Sequence, residues 1–138
     1  MPGANETDFQ FLTENSVDII CRARPEYSLQ YVSPSCFRIL GWTQAEMVEA
    51  PPFGLMVPED APTVNAAIAR TAASGSPFAT VTVRMLRKDG GAVWMEGTSR
   101  TVLDSVTGEV KEYITVLRDI SERIQFEEKL ATQALTDV

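Results

Sequence analysis

Apolar and polar positions alternate in five stretches of the chain, and this pattern predicts five β-strands. Ile19, Cys21 and Ala23 alternate with arginines, and the run LQYVS follows a turn at residues 25–28. Three longer runs, FATVTVRML, AVWMEGTSRTVL and EVKEYITVLRD, are separated by turns at residues 88–91 and 104–108. A period of two residues is typical of a strand with one buried face. Because the connecting turns are short, we expect consecutive strands to pair antiparallel.

The rest of the chain has helical signals. A helix near the N-terminus would carry Phe9 and Leu12 on one face, and short helices are predicted at SPS and at the capping box TQAE. A longer central helix ends before Gly75, and a last helix follows Ile120. Strands and helices in separate runs indicate an α+β fold: a five-stranded antiparallel sheet, short helices packed on one face and a C-terminal linker helix. We expect an N-terminal cap helix at residues 1–15, a core at 16–119 and a C-terminal linker helix at 120–138.

The last predicted strand is apolar on both faces. Such a strand is covered on both sides, here by the N-terminal helix, the terminal helix or a second subunit. We expect a homodimer, although a tolerated patch of exposed apolar residues is the alternative. The candidate interface residues are Phe9, Leu12, Trp94, Ile114, Val116, Ile124 and Ala131.

Composition and charge narrow the class of function. The net charge of −7 argues against nucleic acid or an anionic membrane as a partner. The sequence has no apolar run long enough to span a bilayer and no signal peptide, so we expect no membrane insertion and a cytoplasmic location. The two cysteines lack metal-ligand spacing, and we expect no metal site. The absence of histidine excludes Ser-His and Cys-His catalysis and histidine-ligated haem, and we expect no catalytic residue.

Five short motifs, in order along the chain, resemble those of PAS (Per-Arnt-Sim) sensor domains. They are YVSPS, LGW, VPED, RKDG with VWME, and DISER. The resemblance covers roughly residues 9–123. It implies a sensory domain in which a five-stranded antiparallel sheet cups short helices around a small cavity. The DISER run resembles the family's exit from the last strand into a linker helix, which implies an output connection.

A shorter resemblance lies at the C-terminal end of the chain. Residues 130–138, LATQALTDV, look like the lead-in to a diguanylate cyclase (GGDEF) domain, which makes cyclic di-GMP. The implied function is a sensory module that regulates a fused enzyme. A downstream histidine kinase or phosphodiesterase, a ligand-free dimerisation module and a stand-alone enzyme are the alternatives.

Inward-facing residues are the candidate lining of the implied cavity. Methionines and a tyrosine hydroxyl would give it an adaptable, mostly apolar surface. The candidates are Cys21, Phe37, Leu40, Met47, Phe53, Met56, Ile68, Val83, Met85, Met95, Tyr113, Thr115 and Leu117. The alternative is that they simply fill the core. We expect no cofactor: photoactive flavin-binding (LOV) members carry an Asn-Cys-Arg run after the second short helix, where this chain reads EAPPFGLMVPED. Non-covalent flavin or a small metabolite stays open.

The junction between the last strand and the last helix contains no glycine or proline. Counting outward from the turn at residues 104–108 puts Asp119 opposite the region of Val93, within reach of Arg87 or Lys88. Such a contact would set the angle at which the helix leaves the sheet, although an ordinary surface ion pair is the alternative. The candidate signal-transmission residues are Asp119, Ile120, Ser121, Glu122, Arg123, Arg87 and Lys88.

Overall fold

Five strands form one antiparallel sheet in the structure, a computed structural model that describes residues 17–136. The strands are β1 (Ile19–Ala23), β2 (Leu29–Val32), β3 (Phe78–Leu86), β4 (Ala92–Leu103) and β5 (Val110–Asp119). Their order in the sheet is β2-β1-β5-β4-β3. The last strand is therefore the central one, with β1 on one side and β4 on the other. The predicted five-stranded antiparallel sheet is confirmed.

The helices of the described residues include three between β2 and β3 and one after β5. They are α1 (Ser35–Leu40), α2 (Gln44–Glu49), α3 (Ala61–Ser74) and α4 (Ser121–Thr136), with a 3₁₀ turn at Pro58–Asp60. The predicted capping box starts α2: Thr43 Oγ1 accepts the Glu46 N–H at 3.1 Å, and the Glu46 carboxylate accepts the Thr43 N–H at 3.0 Å. The α+β class and the C-terminal helix are confirmed. The expected cap helix, with Phe9 and Leu12, lies outside the described residues.

The main hydrophobic core lies between α1 and the inner face of the sheet. Ile19, Val32 and Met95 from the sheet and Cys36 and Leu40 from α1 are almost fully buried. The Cys36 thiol donates to the Trp42 carbonyl at 3.3 Å, and burial raises its pKa. Cys36 is therefore a packed structural thiol.

An ion pair fastens the start of α3 to the edge strand β3. The buried Asp60 carboxylate accepts the Arg84 backbone N–H at 2.7 Å, and its other oxygen accepts Arg84 Nη2 at 2.7 Å. These hydrogen bonds hold the pKa of Asp60 below its usual range. The pair ties the N-terminal end of α3 to β3.

The outer face of the sheet is mixed in character. Ile114 and Val116 are half-buried, and Trp94 is 38% exposed. Glu112 is buried on this face and accepts two hydrogen bonds from the Arg22 guanidinium, at 2.9 and 2.8 Å. Within residues 17–136, no helix combines the length and apolar character needed to cross a membrane.

Candidate ligand cavity and helix junction

A cavity of about 530 Å³ lies between the inner face of the sheet and α3. Alternate residues of β3, β4 and β5 form its floor, and α3 and residues 50–56 form its walls. Sites for small molecules typically measure roughly 300–1,000 Å³. The cavity is therefore large enough for a small organic molecule.

Ten of the thirteen predicted lining residues border this cavity: Cys21, Met47, Phe53, Met56, Ile68, Val83, Met85, Tyr113, Thr115 and Leu117. The prediction is wrong for the other three. Leu40 and Met95 face inward, but they lie in the filled core and not against the cavity. Phe37 is 63% exposed, because α1 buries Cys36, Ile39 and Leu40 instead.

Several residues that border the cavity were not predicted from the sequence, including Tyr27, Ser99 and Thr101. Ser99 and Thr101 continue the alternation that begins at the inward-facing Met95, so the pattern of β4 could have identified them. Tyr27 lies in the turn between β1 and β2, where no periodicity applies.

Three aromatic rings meet at one side of the cavity. The Tyr27 ring stacks on that of Tyr113 with centroids 4.9 Å apart, and it lies 5.2 Å from the ring of Phe53. Tyr27 and Phe53 both have positive φ, 73° and 59°. For bulky residues such backbone is unusual and persists only where the surrounding structure holds it. Contacts around Tyr27 and Phe53 therefore hold this part of the cavity wall in place.

The polar side chains in the lining carry hydroxyls and one thiol. Ser99 Oγ and Thr115 Oγ1 share a hydrogen bond of 2.7 Å on the floor. The Tyr113 hydroxyl donates to the Tyr27 hydroxyl at 3.4 Å, and this bond raises the pKa of Tyr113 to about 12. Burial likewise raises the pKa of Cys21 to about 12. At neutral pH the Cys21 thiol and the Tyr113 phenol are therefore uncharged hydrogen-bonding groups.

The junction after β5 is held by backbone bonds and one carboxylate. The Ile120 N–H donates to the Trp94 carbonyl at 3.1 Å, and the Ile124 N–H donates to the Ile120 carbonyl at 3.0 Å. The Asp119 carboxylate accepts the Ser121 N–H at 2.9 Å. Ile120 itself is 5% exposed. The first residue after β5 is thus anchored in the domain, and α4 begins directly upon it.

The predicted contact of Asp119 with Arg87 or Lys88 is wrong. Arg87 instead bonds the Asp89 carboxylate at 3.2 Å and the Ile39 carbonyl at 2.9 Å. Lys88 bonds the Glu46 carboxylate at 2.8 Å, which lowers the pKa of Glu46 to about 2. In the sheet Asp119 lies opposite Met95, two residues beyond Val93.

The remaining junction candidates lie along the first turns of α4. Arg123 pairs with Glu96 of β4 at 3.4 Å, and Ile124 is half-buried. Glu122 and Ala131 are exposed. Phe126 and Leu130, which the prediction did not include, are 62% and 50% exposed. Beyond its first turn, α4 therefore presents apolar side chains to the outside.

The sheet order, the helices on one face and the direct exit into α4 give the architecture that the motifs imply, and the comparison with protein families agrees. The family model described as the PAS fold matches residues 29–117. The chain belongs to the PAS family. The expected identification as a PAS sensory domain is confirmed.

Solved structures similar to this PAS domain come from several signalling proteins. The N-terminal domain of a diguanylate cyclase with PAS/PAC sensor from Marinobacter aquaeolei is 28% identical, with a TM-score of 0.65 over 77% of this chain and 97% of that one. An RNA-binding light-oxygen-voltage receptor is 26% identical, with a TM-score of 0.78 over 99% of this chain but 39% of that one. A sensory box histidine kinase/response regulator from Burkholderia thailandensis E264 is 19% identical, with a TM-score of 0.68 over 94% of this chain and 98% of that one, and this shows the fold alone. No curated protein matches the chain.

The lining of this PAS cavity does not fit the charged cofactors found elsewhere in the family. Haem that needs an axial histidine cannot be bound in this way, since the chain contains no histidine. Cys21, the cysteine that borders the cavity, lies on β1 and not in the segment after α2 where LOV members carry theirs. A flavin phosphate would need cationic partners, and no lysine or arginine of residues 17–136 borders the cavity. Nor do these residues group into a cluster of acidic and cysteine side chains that could hold a metal ion.

Proposed function

We propose that this PAS domain is a non-catalytic sensory input module in which occupancy of the cavity sets the pose of α4 and thereby controls a fused output domain. One observation supports this proposal above all. Strand β5 contributes Tyr113, Thr115 and Leu117 to the cavity and runs into α4 through Asp119 and Ile120 without an intervening loop.

This arrangement gives a short mechanical path. A molecule in the cavity contacts β5 at Leu117, three residues before the buried Ile120. Because Ile120 is bonded to the Trp94 carbonyl of β4, a change in the spacing of β4 and β5 would tilt the start of α4. A ligand shifts such an equilibrium by its difference in affinity for the two poses.

We propose a diguanylate cyclase as the output domain. Two sequence observations favour it: the likeness of residues 130–138 to a diguanylate cyclase lead-in, and the 28% identity to the N-terminal domain of such an enzyme. A histidine kinase is the second candidate, in view of the matching fold of a sensory histidine kinase. The coding sequence after Val138 distinguishes them, and GTP-dependent synthesis of cyclic di-GMP tests the first.

The proposed partner for dimerisation is a second copy of this chain. A partner would cover apolar surface on the outer sheet face and on α4. The residues that form this surface are Trp94, Ile114 and Val116 on the sheet and Phe126 and Leu130 on α4. Because α4 extends from each subunit of such a dimer toward an output domain, dimerisation would also bring two output domains together.

The test is a variant that fills the cavity. Ala79 borders the cavity from β3, and Ala66 is exposed on α3 away from both the cavity and the outer sheet face. Ala79→Phe should occupy the space a ligand needs, and Ala66→Phe makes the same substitution outside the cavity. In the full-length protein, we expect Ala79→Phe to change the rate of the output reaction severalfold and Ala66→Phe to leave it at the wild-type value.

The melting temperatures of both variants are measured alongside, so that loss of fold is not mistaken for signalling. Equal output from all three proteins at equal stability would refute sensing through the cavity. An output other than cyclic di-GMP would refute only the choice of cyclase.

A further inference from the structure

The lining of the cavity points to the chemical class of its ligand. Among the described residues that border it, not one is Asp, Glu, Lys or Arg. Its titratable groups are the thiol of Cys21 and the phenols of Tyr27 and Tyr113. Met47, Met56 and Met85 add adaptable apolar surface. The lining therefore offers no ionic partner to a ligand.

A charged ligand would lose its hydration on entering and gain no counter-charge in return. Burying an unpaired carboxylate, phosphate or ammonium is strongly unfavourable, whereas burying apolar surface is favourable. Two charged side chains next to lining residues form ion pairs outside the cavity. Arg84, between Val83 and Met85, pairs with Asp60, and Glu112, next to Tyr113, pairs with Arg22.

The floor of the cavity carries one hydrogen-bonded pair of hydroxyls. Ser99 and Thr115 lie directly opposite each other on β4 and β5, with their hydroxyls 2.7 Å apart. One hydroxyl donates to the other, so the pair keeps one free proton and unused lone pairs. It can therefore bind one uncharged polar group, such as a hydroxyl, a carbonyl or an N–H.

We propose that the cavity binds an uncharged, mostly apolar small molecule whose single polar group lies against the Ser99–Thr115 pair. This proposal rests on the proposed function and names the ligand class of the same site. It separates this domain from sensors of carboxylate metabolites and of phosphate-bearing cofactors, since those ligands need cations in the lining.

Two fluorescent probes with the same aromatic frame test the charge. N-phenyl-naphthylamine is neutral and carries one N–H, and anilinonaphthalene sulfonate adds a sulfonate to that frame. Titration of each into the protein should show the neutral probe binding at least about tenfold more tightly. Ala79→Phe should abolish this binding and Ala66→Phe should preserve it, which would place the probe in the cavity.

A second pair of variants tests the polar anchor, which is the contact of the ligand's polar group with the Ser99–Thr115 hydroxyls. Thr115→Val removes a hydroxyl of the floor and should lower the affinity for the neutral probe by about two- to tenfold. Thr98→Val removes a hydroxyl on the outer face of β4 and should leave the affinity unchanged.

Each outcome decides one question. Equal or tighter binding of the sulfonate, or binding of neither probe, would overturn the ligand class. An unchanged affinity in Thr115→Val would overturn the polar anchor. The output of Ala79→Phe in the full-length protein decides the sensory function separately, so that function stands or falls on a different measurement.

Discussion

The carboxylate of Asp119 lies where the strand ends and the helix begins, and two variants can separate its oxygen acceptor from its charge. The residue before α4 is Ile120, whose apolar side chain cannot cap the helix. Asp119 supplies the missing acceptor by bonding the Ser121 N–H at 2.9 Å. Asp119→Asn keeps an oxygen at this place, whereas Asp119→Ala removes it.

The expected magnitude can be worked out from this one bond. Loss of a comparable capping bond costs about 1 kcal/mol, and loss of charge near a helix N-terminus costs about 0.3–1 kcal/mol. An energy of 1 kcal/mol changes the ratio of two states by about fivefold. We therefore expect the first turn of α4 to open about fivefold more often in Asp119→Ala and less often than that in Asp119→Asn.

Amide hydrogen exchange at residues 121–124 measures this opening, and the output rate of the full-length protein reports its effect. The melting temperature of the core should change little, because the contacts of β1 to β5 are untouched. We expect faster exchange and altered output in the order Ala, Asn, wild type. Wild-type exchange rates in Asp119→Ala would show that the carboxylate does not hold the helix start, and the reasoning would be refuted.

Three further predictions concern stability, dimerisation and visible absorbance. Asp60→Asn should lower the free energy of unfolding by about 1.5–3 kcal/mol at pH 7, because the bonds to Arg84 lose their charge. Since those bonds lower the pKa of Asp60, their contribution to stability is present above about pH 4 and is lost as the pH falls further. If urea denaturation gave the same difference in unfolding free energy between wild type and Asp60→Asn in acid as at pH 7, this prediction would be contradicted. Light scattering at tens of micromolar should give a homodimer that Val116→Lys dissociates, and a wild-type monomer would contradict the proposed interface. The purified protein should show no visible absorbance, and a band that co-elutes with it would contradict the absence of a chromophore.

The strands could be predicted because their alternation is regular, but the register of the last hairpin could not. A bulge between Val102 and Leu103 shifts the pairing of β4 with β5 by one residue. This shift helps to place Asp119 opposite Met95. Alternation says which face a residue occupies, but it does not reveal an extra residue in one strand. The error in the contacts of Asp119 arises in part from this bulge.

The cavity lining could be predicted only as far as the inward face. Met95 and Thr115 both point inward, but the core is filled around Met95 and open around Thr115. The region around Met95 is filled by α1 and the region around Thr115 lies under α3, so the difference depends on tertiary packing that alternation does not encode. Phe37 was misplaced because a six-residue helix gives too short a pattern to define its buried side.

The account depends most on the coupling between the cavity and the first turn of α4. Its most direct test is amide hydrogen exchange of the protein with and without saturating N-phenyl-naphthylamine. We predict that exchange at residues 121–124 changes by at least about threefold on binding, while the turn at residues 104–108 keeps its rates. Unchanged exchange at residues 121–124 with the probe bound in the cavity would contradict the account.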